Sequence, residues 1–241
     1  MVRFISFYTK NTPYEDLSYE LSESLQKFSL PHTLYAIEDQ GKWSKNVLQK
    51  PRIVERAMID YPDDSIVWID VDSLVMKKPI LFEDFCSKNI DIAVFVREKK
   101  RSDPFQYNTF NCVIYFKPGQ KSLDFVRVWS KHALLRCNQK IKIPDYFFMN
   151  GEKHLTNKKA CRTEQGTFVK ALNDMHFNNT PMYVEKLPRP YAVRIKSSVP
   201  KTKWVIAQKQ ASRLFKETNK NRYKNRESLA EWYKNVDTNW R

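Results

Sequence analysis

The sequence predicts an α/β protein with a mostly parallel central sheet flanked by helices. Three observations lead there. Apolar runs and amphipathic stretches alternate over the first 70 residues, in the order strand, helix, strand, helix, strand. The strand candidates are near-continuous apolar runs, as expected of strands covered on both faces. The length of 241 residues suits one domain with its own core.

Residues 2–8 (VRFISFY) combine β-branched and aromatic side chains and read as a buried first strand. Thr12, Pro13 and Glu15 have the spacing of a capping box with proline at the first helical position. Behind it, Tyr14, Leu17, Leu21, Leu25 and Phe28 recur at spacings of 3, 4, 4 and 3, one apolar face of a helix. Residues 32–37 form the second strand candidate. Pro51 opens a helix with Ile53, Val54, Ala57 and Met58 inward, and Tyr61-Pro62-Asp63-Asp64 ends it. Residues 65–69 (SIVWI) are a third, apolar strand. Further strands are expected at 91–96, 112–116, 182–187, 191–195 and 204–207, and helices near 120–135, 164–173 and 227–235. Residues 1–215 read as the folded domain. Residues 216–241 read as a basic linker and short C-terminal helix, packed on the domain or on a membrane surface.

Composition removes several function classes. The glycines are Gly41, Gly119, Gly151 and Gly166, too dispersed for a P-loop or a dinucleotide fingerprint. The four cysteines form no CxxC pair, which argues against a zinc ribbon, and they read as free thiols of a reducing compartment. No apolar run approaches the ~20 residues of a membrane span. The N-terminus lacks the long apolar region of a signal peptide, so a cytoplasmic protein is expected. A net charge of +15 invites a nucleic-acid partner, but no RNP, helix-turn-helix, KH or zinc-finger pattern accompanies it. Residues 201–241 hold 11 of the basic residues against 4 acids, together with Trp232, Tyr233 and Trp240. Such a tail can rest on an anionic membrane or pack its aromatics on the domain.

The chemistry concentrates at Asp70-Val71-Asp72, directly after the third strand. In a parallel sheet, ligands bind beyond the carboxyl ends of the strands. On extended backbone Asp70 and Asp72 face the same side. Two carboxylates there are costly unless a cation neutralises them. Mg²⁺ or Mn²⁺ suits such oxygen ligands, usually with substrate phosphates completing the shell. Lys50 and Arg52 flank Pro51 at a helix start, where positive charge and backbone N–H groups favour a diphosphate. Thr9, with Tyr8 and Asn11 nearby, lies at the end of the first strand, positioned to hold the base of a nucleotide. Asp39 follows the second strand, within reach of ribose hydroxyls or serving a turn.

Ile66-Val-Trp-Ile-Asp-Val-Asp-Ser-Leu-Val75, followed by Lys78-Pro79, resembles the core of GT-A glycosyltransferases. Three further patches agree in order along residues 1–215. Asn111-Cys112-Val-Ile-Tyr-Phe-Lys-Pro118 is similar to the strand placed beside the donor sugar. Glu164-Gln165 resembles the family's Asp-Gln pair. Leu187-Pro-Arg-Pro-Tyr191, with Gln208-Lys-Gln-Ala-Ser-Arg213, is similar to the ending of small nucleotide-sugar transferases of polysaccharide clusters and large DNA viruses.

The resemblance implies a GT-A, Rossmann-like fold and transfer from a UDP-, GDP- or dTDP-sugar to a glycan, glycolipid or glycoprotein hydroxyl. It also implies Mn²⁺ or Mg²⁺ held by Asp70, Asp72 and Gln208. Nucleotide contacts would include Asp70, Val71, Ser212 and Arg213, and sugar contacts Asn111, Cys112, Glu164 and Gln165. Two departures stand out. Cys112 replaces the family glycine, and Gln208 replaces a metal-binding histidine, so the expectation is weak metal affinity or a cation held mainly by Asp72 and the diphosphate. For catalysis, an inverting enzyme needs a carboxylate base, for which Asp145, Glu152 and Glu164 are candidates. A retaining enzyme would set Glu164 or Gln165 against the sugar's far face. The alternatives are a degenerate GT-A domain that binds without turnover and a basic nucleic-acid-binding α/β protein, whose binding would weaken steeply with salt.

Overall fold

A computed structural model describes residues 1–99, 106–139, 141–159, 161, 163–194, 199–209 and 211. The first half runs β1 (Val2–Thr9), α1 (Pro13–Gln26), β2 (His32–Ile37), α2 (Trp43–Val47), α3 (Lys50–Asp60), β3 (Ser65–Ile69), β4 (Ser73–Val75), α4 (Leu81–Ser87) and β5 (Ile92–Lys99). The second half runs β6 (Gln106–Phe116), α5 (Gln120–Asn138), β7 (Tyr146–Met149), β8 (Glu152–Leu155), α6 (Glu164–Phe177), β9 (Val184–Lys186), β10 (Val193–Arg194) and β11 (Ile206–Gln208).

Six strands form the main sheet in the order β2-β1-β3-β6-β5-β9. β1 pairs in parallel with β2 and β3, and β5 with β9, while β6 runs antiparallel to both its neighbours. One reversed strand in an otherwise parallel sheet matches the expected fold class. All five residues of β3 are buried, which explains its unbroken apolar run. A small sheet, β10-β11-β4, and a hairpin, β7-β8, complete the strands.

Each sheet face is covered by helices. On one face α1 brings Leu17, Leu21 and Leu25, and α4 brings Phe82 and Phe85. On the other, α3 brings Ile53, Val54, Ala57 and Met58, joined by Phe125 and Trp129 of α5 and Phe168 of α6. The face read on α1 is the one that packs.

Several boundaries move. The 112–116 strand is the end of the longer β6, because Gln106–Phe110 pair with Phe95–Lys99 beyond a bulge at Val94/Phe95. The 191–195 strand becomes a 3-10 turn at Arg189–Tyr191 and the two-residue β10, since two prolines, Pro188 and Pro190, enter the turn. The 227–235 helix and the 216–241 tail lie outside the described residues. The capping box is modified. Thr12 Oγ1 accepts from Tyr14 N at 3.3 Å, but the Glu15 carboxylate accepts from Asn11 N at 2.9 Å, not from Thr12 N. Asn11 is left-handed (φ 57), which directs its amide at Glu15.

Gly166, in the first turn of α6, lets the helix approach the Cys161 carbonyl. A Cβ there would collide with that oxygen and with Ile143 Cδ1. Gly166→Ala is expected to cost about 1–3 kcal/mol in urea denaturation. An unchanged midpoint would mean that the close approach is dispensable.

Candidate active site

The chain leaves β1 to build β2 on one side and returns to build β3 on the other. This reversal is the switch point at which open α/β sheets bind ligands. A cleft opens there. Phe7, Tyr8 and Thr9 come from the end of β1, Trp43, Asn46 and Lys50 from α2 and the start of α3, and Asp70, Val71 and Asp72 from the turn after β3. Glu164, at the start of α6, closes it.

Buried Lys50 organises the floor. Its Nζ donates to Asp70 Oδ1 at 2.9 Å and to the Asn111 carbonyl at 2.8 Å, and lies 3.7 Å from Glu164 Oε1. It also sits 4.9 Å from the Trp68 ring centroid. Burial works to discharge this ammonium, but Asp70 and then Glu164 outweigh it, so the pKa rises and the charge is kept. Asp70 Oδ1 also accepts from Trp68 Nε1 at 2.9 Å. Burial nevertheless raises the Asp70 pKa, against the opposing pull of Lys50.

Asp72 Oδ2 accepts from Ala211 N at 2.8 Å. Its pKa is pushed up to about 6, by burial first and by the Asp70 charge second. Two neighbouring carboxylates, both with raised proton affinity, form a site suited to a hard cation. Each carboxylate has a second oxygen outside the hydrogen bonds just described. Among the described residues, no group of three or more His, Cys, Asp and Glu side chains converges into a metal site made of protein alone. The donor set therefore fits a cation whose shell is completed by oxygens from a bound substrate.

No protein-family model matches the chain, and no curated protein matches it in sequence. Solved structures do. The chain aligns with the crystal structure of a glycosyltransferase involved in glycosylation of the major capsid of PBCV-1, at a TM-score of 0.57 and 16% identity, over 87% of this chain and 92% of that one. The chain has a GT-A-like glycosyltransferase fold. The apo structure of the bifunctional glycosyltransferase WbbM aligns at a TM-score of 0.47 and 10% identity, over 87% of this chain and 45% of that one. This chain thus spans less than half the length of WbbM.

Within the glycosyltransferase fold, the sequence candidates divide into two groups. Tyr8, Thr9, Lys50, Asp70, Val71, Asp72 and Glu164 meet at the cleft. Asn111 and Cys112 are buried beside it on β6, the Cys112 carbonyl accepting from Asp70 N and the Asn111 carbonyl from Lys50 Nζ. Both side-chain polar atoms of Asn111 are buried without a hydrogen-bond partner, as is Gln208 Nε2. Burial, reinforced by Asp70, raises the Cys112 thiol well above the ordinary range, so it stays protonated. Gln208 ends β11 opposite Ser73, one residue from Asp72. Gln165 is half-buried next to Glu164.

The second group stands apart. Arg52 is exposed on α3, and Asn11 is exposed at the turn before α1. The Asp39 carboxylate accepts from Gly41 N at 3.0 Å and from Asn46 Nδ2 at 2.7 Å, which braces the short helix α2 that carries Trp43. Asp145 is exposed and paired with Lys158, whose hydrogen bond lowers the carboxyl pKa. Glu152 is exposed on the β7-β8 hairpin. Ser212 and Arg213 lie outside the described residues.

Six cleft residues escape the sequence reading as site residues: Phe7, Tyr14, Trp43, Asn46, Val47 and Trp68, the last also a donor to Asp70. Trp43 and Asn46 sit in the five-residue α2, too short for a visible period. Trp68 reads as core because it is core: its ring is buried while only its Nε1 reaches the turn.

Proposed function

We propose that the protein transfers a glycosyl group from a nucleoside-diphosphate sugar to a hydroxyl acceptor on a glycan, glycolipid or glycoprotein, with Mn²⁺ or Mg²⁺ as cofactor. The observation that carries the reading is the Asp70-Val71-Asp72 turn at the sheet's switch point, facing an aromatic-lined cleft. The rings of Tyr8, Tyr14 and Trp43 suit a nucleobase. The carboxylates suit a cation-bound diphosphate. When bound, the cation would neutralise charge developing on the leaving diphosphate.

The chain's own residues would do the rest. Asp72 presents an oxygen to the cation–diphosphate unit. Lys50 holds Asp70 and Glu164 in fixed positions. Glu164 is the acid in the cleft beyond Lys50 and is assigned to the sugar side, with Gln165 adjoining. Asn111 and Cys112 shape the floor. Asp145, outside the cleft and paired with Lys158, is the weaker candidate for base.

The test is a thermal-shift screen of UDP-, GDP- and dTDP-sugars, each with and without Mn²⁺ or Mg²⁺. A ligand at a hundredfold excess over Kd stabilises by about 2.7 kcal/mol. A shift that needs both nucleotide and cation is expected. Trp43→Ala should weaken it by about 1–3 kcal/mol, the worth of one base stack. Silence from every pair, with a shift on adding RNA or DNA, would overturn the reading.

A further inference from the structure

Two lysines are buried among the described residues, and both border the acidic turn. Lys50 belongs to the cleft. Lys209 does not line it. It directly follows β11, and its side chain pairs with the Glu20 carboxylate on α1.

The backbone around Lys209 holds Asp72 at two points. Lys209 N donates to the Asp72 carbonyl at 2.8 Å, and Ala211 N donates to Asp72 Oδ2 at 2.8 Å. One bond sets the main chain of Asp72 and the other orients its carboxylate. α1 is itself tied to β4, because Ser24 Oγ accepts from Val75 N at 3.1 Å. Thus α1, β4 and Lys209 after β11 are tied to one another beside Asp72, and the Glu20–Lys209 pair is a polar link between the first and the last. A lysine only 7% exposed keeps its carboxylate partner, since a lone buried charge is strongly unfavourable.

We propose that Glu20 and Lys209 are positioning residues. They hold Lys209 and Ala211 in place so that the Ala211 amide fixes the Asp72 carboxylate in the direction the nucleotide site needs. Neither residue lines the cleft; both act through Ala211 and Asp72. The ligand-binding part of this proposal rests on the glycosyltransferase reading above, whereas the structural part does not.

Both parts are tested on the full chain with Glu20→Gln, Lys209→Met and the charge-swapped double variant Glu20→Lys/Lys209→Glu. Amide hydrogen exchange reads the link directly. The Lys209 and Ala211 amides should exchange faster in each single variant and recover in the swap, with the Trp68 amide of β3 unchanged throughout. Titration with UDP, GDP and dTDP, each with Mn²⁺, reads the consequence. The nucleotide the wild type binds should lose about ten- to a hundredfold in affinity in the single variants, the usual effect of removing a group that orients a ligand. The swap should restore it. Unchanged exchange at Lys209 and Ala211 in both folded single variants would overturn the proposal, as would losses that the swap fails to recover. A wild type that binds none of the nucleotides would instead overturn the proposed function, and the exchange data would still decide whether the link holds Asp72.

Discussion

Asp72→Asn is expected to make the ligand-free protein more stable while abolishing its response to nucleotide and cation. The two effects share one cause. Asp72 has a folded pKa of about 6 against an ordinary 3.8. Between those values the native state binds more protons than the unfolded chain, so stability falls as pH rises from about 4 to 6 and stays reduced above. Asparagine keeps an oxygen for the Ala211 amide and has no charge to desolvate. The gain at pH 7 is expected to be roughly 1–3 kcal/mol, from about 1.4 kcal/mol per pKa unit less screening of a half-buried group. Urea denaturation across pH 4–8 checks it, and the variant should lack the wild-type fall between pH 4 and 6. In the same variant, the Mn²⁺-dependent thermal shift should disappear. A variant that kept the full shift would remove Asp72 from the site.

Lys50→Met is expected to act in the opposite direction on stability. It leaves Asp70 and Glu164 without their shared cation and the Asn111 carbonyl without its donor. Breaking one side of a buried pair costs about 3–5 kcal/mol. Adding Asp70→Asn to the same chain should recover much of that loss, because the stranded charge goes with it. If Lys50→Met lost under about 1 kcal/mol, the ammonium would not be holding the floor together.

The parallel half of the fold is legible because its cause is local. Buried parallel strands must be apolar, and α1 must turn one face inward, so β1, α1, β2, α3 and β3 can be read from residue order. The elements that escape are those whose stability comes from partners distant in sequence. β4 has three residues and exists through β11, some 130 positions later. The outer half of β6 is polar and is held by β5 across a bulge. α2 is too short to show a period and is braced by Asp39.

The site divides in the same way. The acidic turn is visible because it interrupts an apolar run at a strand end. What the carboxylates touch is not visible. Lys50 is one of 42 basic residues, and nothing in its neighbourhood along the chain marks it as a buried one. Its partners lie 20 and 114 positions away, so only the fold reveals that it bonds carboxylates and a carbonyl.

The register of β6 against β3 sets which peptide groups face the acidic turn. On the β6 side, the Asn111 carbonyl goes to Lys50 and the Cys112 carbonyl to the Asp70 amide, so peptide oxygens border the floor there. Among the described residues that line the cleft, the side chains charged near neutral pH are three carboxylates, Asp70, Asp72 and Glu164, and one ammonium, Lys50. With all of them ionised, the deficit is two positive charges, the valence of a single divalent ion. One such ion brings the floor to neutrality, and a second would leave it as unbalanced as before, with the sign reversed. The protein's overall charge of +15 can draw a polyanion from a distance, but this floor repels it at contact. On the proposed function, a nucleoside diphosphate would be admitted as an ion complex, and the cation would be a condition of entry.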